Sequence, residues 1–89
     1  MLSLPIPPNL DIIDIHFSLN STWAIITYFN ITSSLYELTT LNISGLHKTL
    51  TVSDVYVCPP MITSDASYVL YVSASEVSIY KLNQSDGSL

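Results

Sequence analysis

The strongest constraint on the fold is that the sequence resembles itself. Phe17-Ser18-Leu19-Asn20-Ser21-Thr22-Trp23-Ala24-Ile25-Ile26 lies over Ile62-Thr63-Ser64-Asp65-Ala66-Ser67-Tyr68-Val69-Leu70-Tyr71 at a constant offset of 45 residues, with apolar, aromatic and turn positions coinciding. Further on, Ser34-Leu35-Tyr36-Glu37-Leu38 lies over Ser78-Ile79-Tyr80-Lys81-Leu82 at an offset of 44. The one-residue change is assigned to the intervening turn, where length varies at least cost. A period of this size marks a repeated supersecondary unit, which buries its apolar face by stacking on a neighbour. The expected organisation is one domain over 1–89, with a first repeat over about 10–53 and a second over about 54–89.

Each repeat reads as antiparallel strands. Trp23 to Phe29 and Tyr68 to Val72 are short runs rich in β-branched and aromatic side chains, and each follows a turn-forming cluster, Leu19-Asn20-Ser21 or Ser64-Asp65-Ala66. No apolar set keeps a 3.6-residue period over three turns, and residues that stabilise exposed helical faces are scarce. The first repeat is expected to place strands near Ile12 to Ser18, Thr22 to Phe29, Ser34 to Leu41 and Leu46 to Val52. The second repeats three of these, near Val55 to Thr63, Ser67 to Ser73 and Val77 to Leu82. Cys58-Pro59-Pro60 interrupts the first of them, because two prolines remove two ladder donors; that strand is bulged, or its pairing begins only at Met61.

A four-stranded unit of about 45 residues resembles a blade of a WD40-type β-propeller. The features that carry the resemblance are the Ser64-Asp65 turn, the apolar strand Tyr68-Val69-Leu70-Tyr71-Val72, and the strand Val77-Ser78-Ile79-Tyr80-Lys81-Leu82 followed by Asp86-Gly87. No Gly-His pair precedes either copy, and Tyr36-Glu37 and Tyr80-Lys81 stand where a Trp-Asp pair would close the third strand, so the resemblance is to the broad propeller class. It implies an all-β, antiparallel fold of two four-stranded propeller-like blades. Residues 1–9 would complete the second blade, with Leu2 to Ile6 as an edge strand that tolerates its prolines. A closed propeller needs at least about four blades, so two blades imply partner chains or a homo-oligomer. The alternative is a small β-sandwich in which the repeat is only ancestral.

Composition narrows the function. At 89 residues and 48% apolar content, a single core only marginally offsets the entropy of folding, which again points to help from an assembly. Two basic residues, Lys48 and Lys81, stand against seven acidic ones for a net charge of −5. Nucleic acid and anionic membrane surfaces are poor partners for such a chain, because both are bound through clustered cations. The charged fraction of 10% is low and Ser with Thr fills about a quarter of the chain, a balance that leans toward an extracellular or virion surface. Cys58 is the only cysteine, so no internal disulfide forms, and it is expected to serve as a small core side chain. The N-terminus lacks a basic region and is broken by Pro5, Pro7 and Pro8, unlike a signal peptide; no apolar run reaches the ~18 residues of a transmembrane segment.

Four of the five asparagines open Asn-x-Ser/Thr triplets, at Asn20, Asn30, Asn42 and Asn83, all within expected turns, and these are the candidate glycosylation sites. Asn, Ser and Thr also gather in turns for backbone reasons. The aromatic pairs Trp23/Tyr68 and Tyr36/Tyr80 recur in both copies, which favours packing between sheets over stacking on sugars. His16 and His47 lie in different contexts and the carboxylates are scattered singly, so no catalytic residue, metal ligand or cofactor site is assigned. The expected function is a non-enzymatic structural or binding module of propeller type completed by other chains. The alternative is a carbohydrate-binding or adhesive glycoprotein of a virion or cell exterior, with glycan as partner.

Overall fold

The computed structural model describes residues 5–53 and 57–89. Among them the chain is all-β, with strands β1 Leu10–Phe17, β2 Trp23–Asn30, β3 Leu35–Asn42, β4 His47–Val52, β5 Met61–Ile62, β6 Tyr68–Val72 and β7 Val77–Lys81. They form two antiparallel sheets, one in the order β1-β2-β3-β4 and one in the order β5-β6-β7. Each is a meander, the simplest result of strands joined by tight turns. No helix among the described residues is long and apolar enough to cross a membrane.

Paired residues in antiparallel strands share a face, so the registers say which side chains look inward. Rows His16–Ile25–Thr40–Lys48 and Asp14–Thr27–Leu38–Leu50 lie on one face of the first sheet. Rows Phe17–Ala24–Leu41–His47 and Ile15–Ile26–Thr39–Thr49 lie on the other. A bulge between Ile12 and Asp14 sets Ile13 outside the pairing, which keeps Ile12, opposite Tyr28, on the Ile15 face. In the second sheet Ile62–Val69–Tyr80 and Tyr71–Ser78 share one face, and Met61–Leu70–Ile79 and Val72–Val77 the other.

The core lies between the sheets. Trp23, Ile25 and Leu38 from the first meet Ile62, Val69 and Tyr71 from the second, with Ala66 and Leu82 sealing the end and Val52, Tyr80 and Leu89 packed around them. The C-terminal residues close one side of this gap: the Thr40 hydroxyl donates to the Gly87 carbonyl, and Gly87 lies against the Trp23 ring.

The prolines shorten the first strand of the second sheet to Met61–Ile62, against the expected Val55 to Thr63. Pro59 and Pro60 offer no N–H, and pairing with β6 resumes only at Val57, whose N–H donates to Val72 O at 2.7 Å. Asp54, Val55 and Tyr56 lie outside the described residues, as does most of the proposed edge strand Leu2 to Ile6. Pro5 and Ile6, which are described, are exposed and in no strand, so the second sheet has three strands among the described residues. Cys58 is half-buried beside buried Pro60.

The offset of 45 is reproduced in the pairing of β1 with β2 and of β5 with β6: Phe17 faces Ala24 as Ile62 faces Val69. The offset of 44 is not reproduced. Trp23 pairs with Asn42 and Tyr68 with Lys81, so the third strands correspond at an offset of 39. The β6–β7 hairpin is three residues shorter in each arm, which sets Tyr80 in the place of Leu41 rather than Tyr36. Tyr36 instead packs on Phe29, its ring 5.4 Å away at 60°.

Candidate interaction faces

The first turn of each unit is built on one side-chain oxygen. Asn20 Oδ1 accepts from the Thr22 N–H at 3.2 Å, the Thr22 hydroxyl at 2.8 Å and the Ser18 hydroxyl at 2.6 Å. In the second unit Asp65 Oδ1 accepts from the Ser67 N–H and the Thr63 hydroxyl, both at 3.0 Å. Ser21 at φ 59° and Ala66 at φ 61° take the same left-handed position in these turns. Ser18 N–H donates to Trp23 O and Thr63 N–H to Tyr68 O, each at 2.9 Å. These bonds fold the chain back on itself before β2 and β6 and so fix which face of each strand looks inward.

The same device accounts for the backbone at every candidate glycosylation site. The side-chain oxygens of Asn30, Asn42 and Asn83 accept from the N–H two residues on, Thr32 at 3.0 Å, Ser44 at 2.9 Å and Ser85 at 2.9 Å, as Asn20 does from Thr22. Asp65-Ala66-Ser67 and Asp86-Gly87-Ser88 make the same bond with aspartate, at 3.0 and 2.9 Å. The shared pattern is thus an Asx turn, which Asp satisfies as well as Asn. Asn20 and Asn83 are exposed, and Asn30 and Asn42 half-buried. The Asn30 amide, the nitrogen a glycan would use, donates to Glu37 Oε2 at 2.7 Å.

These bonds set the electrostatics. The Ser67 hydroxyl, then the Ser67 N–H and the Thr63 hydroxyl, hold the exposed Asp65 carboxyl below the usual range by solvating its charge. The Ser88 N–H, then the Ser88 hydroxyl and the positive charge of Lys48, do the same for Asp86. Burial raises the Tyr28 phenol. A hydroxyl-rich cleft of about 200 Å³ opens between the sheets at the end of β4, lined by Thr51, Ser53, Ser73, Ser78, Tyr71 and Tyr80, with Glu76 its one carboxylate. No group of three or more His, Cys, Asp or Glu side chains among the described residues is placed to hold a metal ion.

The largest chemical feature is apolar and lies on the two outer faces. On the first sheet Ile12, Ile15 and Phe17 stand exposed beside Ala24 and Ile26, and Phe17, Leu41 and Ile43 rim a shallow apolar hollow over Trp23 and Ala24. On the second sheet Met61, Tyr68, Val77 and Ile79 are exposed around Leu70. Of the recurring aromatics, Trp23 is buried between the sheets and Tyr68 is on an open face. Sequence reading assigns no role to either face. A strand apolar at alternate positions announces a face to be covered, without saying whether the cover lies in the same chain. No family model matches this chain, and no curated protein or solved structure is significantly similar to it.

Proposed function

We propose that this chain is a non-enzymatic structural or binding module of propeller type, completed by other chains of an assembly. The observation that carries this reading is the pair of open apolar faces on opposite sides of a two-sheet stack. A self-sufficient sandwich buries its apolar faces inward and presents polar residues outward. Here exposed isoleucine, valine, phenylalanine and methionine side chains lie on the outer faces of both sheets. Four-stranded and three-stranded meanders stacked face to face support a reading as two adjacent blades, and a ring of about four or more blades would cover every such face.

Light scattering combined with unfolding over a range of chain concentrations tests the reading. A native mass that is a multiple of the chain mass, with an unfolding midpoint that rises with concentration, is the expected result. A stable single chain that unfolds cooperatively with a midpoint independent of concentration overturns it.

A further inference from the structure

The two sheets stack in the same sense rather than as mirror partners. Trp23, Ile25 and His16, on the inner face of the first sheet, correspond through the shared turn to Tyr68, Leu70 and Met61, on the outer face of the second. Phe17, Ala24 and Ile26, on the outer face of the first, correspond to Ile62, Val69 and Tyr71, on the inner face of the second. The third strands keep the same relation: Ile43 N–H donates to Thr22 O as Leu82 N–H donates to Ser67 O, at 3.1 and 2.9 Å. Each unit therefore has a front face, which in the first unit meets the back face of the second.

Exposure then differs between equivalent positions at the rims of the faces, while the central Ala24 and Ile26 of the first sheet's outer face are buried by their own neighbours, as Val69 and Tyr71 are by the facing sheet. Phe17 is 67% exposed and its counterpart Ile62 4%; Ile43 is 72% exposed and its counterpart Leu82 3%. On the front faces Leu38 is fully buried and its counterpart Val77 62% exposed, while Thr40 is fully buried and its counterpart Ile79 66% exposed. The two open faces are thus the unpaired halves of the contact already made inside the chain.

We infer that they are covered by a second copy of this chain, the exposed side chains on the back face of its first sheet (Ile12, Ile15, Phe17, Ile43) seating on the front face of the second sheet (Met61, Leu70, Val77, Ile79). This rests on the module reading above and names its partner. The contact is head-to-tail, so each copy offers one face of each kind and repeated addition closes a ring if the angle permits. The intrachain contact is the template. It pairs these same two kinds of face through an apolar centre.

The test is complementation between two surface variants, Phe17→Lys on the back face and Ile79→Lys on the front face, each checked for an unchanged β circular-dichroism spectrum. Ile43→Lys and Val77→Lys replace either one that fails to fold. The unaltered chain is expected at twice the chain mass or more, each variant alone at the chain mass, and an equimolar mixture of the two at twice the chain mass, because one intact contact remains per pair. If the unaltered chain assembles but the mixture does not, or if only one of the two faces matters, the head-to-tail inference falls and the module reading stands. If the unaltered chain is single and unfolds without a cooperative transition, the second copy falls as occupant and a different chain takes its place. If it is single and stably cooperative, both fall.

Discussion

The main-chain N–H of Ile62 donates to Nδ1 of His16 at 3.1 Å, joining β5 of one sheet to β1 of the other. It is one of the polar ties between the two units, with the Asn20 N–H to Ser64 O bond at 3.2 Å and the Thr40 hydroxyl to the Gly87 carbonyl, and it holds their first strands together. It adds a fixed point to β5, whose Met61–Ile62 makes only two pairings with β6.

His16→Ala is therefore expected to destabilise the chain by about 1–3 kcal/mol, the cost of leaving a partly buried donor without its acceptor. His16→Asn, whose side-chain oxygen reaches the position of Nδ1, is expected to recover part of that loss. Urea unfolding of the two variants checks this. Equal losses would mean that the imidazole contributes packing alone.

Gly87 carries φ +82°, and a Cβ there would stand 3.0 Å from Thr40 Oγ1 and 3.2 Å from Trp23 Cζ3. Both neighbours are buried and held, Thr40 by its bond to the Gly87 carbonyl, so neither yields without loosening the core end. Gly87→Ala is expected to cost about 1–3 kcal/mol from strained backbone and crowding together. A lowered melting temperature with quenched or shifted Trp23 fluorescence would report both.

Asp65 and Asp86 have carboxyls held below the usual range by hydrogen bonds present only in the folded chain. A depressed folded value contributes stability above the unfolded value that is lost as pH falls through the folded one. The melting temperature should hold near neutrality and decline from about pH 5 downward. Asp65→Asn combined with Asp86→Asn keeps the turns, since asparagine makes the same bond at Asn20 and Asn83. That double variant should show a shallower acid decline, and an identical decline would place the acid sensitivity elsewhere.

How far the sequence discloses this arrangement differs along the unit. The turn residues Ser18 to Trp23 and Thr63 to Tyr68 disclose the first hairpin fully, because a side-chain bond at a fixed spacing leaves one register. The second hairpin is hidden. Tyr36 and Tyr80 align in sequence at an offset of 44 but lie on opposite faces, because the third strands correspond at 39 and an odd shift of five turns every side chain over; the likeness of Ser34-Leu35-Tyr36-Glu37-Leu38 to Ser78-Ile79-Tyr80-Lys81-Leu82 is one of composition and not of register. The aspartate turns at Asp65 and Asp86 are legible as turns, whereas the meaning of the Asn-x-Ser/Thr triplets emerges only when Asp is seen to serve in the same place. The open faces are legible as apolar and illegible as open, because Leu38 and Val77 hold equivalent positions and differ only in what lies over them.

That last pair gives the sharpest discrimination between folding and assembly. Leu38 is enclosed within the chain, so Leu38→Ala should cost about 2–5 kcal/mol wherever it is measured, through lost burial and the cavity left behind. Val77 is exposed in the single chain, so Val77→Ala should change unfolding at high dilution by no more than about 0.5 kcal/mol. At higher chain concentration, where front and back faces meet, the same substitution should lower the unfolding midpoint and shift the native mass toward that of one chain. Comparing both variants across dilution therefore separates the face that folds this chain from the face that joins it to the next. A Val77→Ala effect that did not vary with concentration would show that the exposed face is covered by nothing.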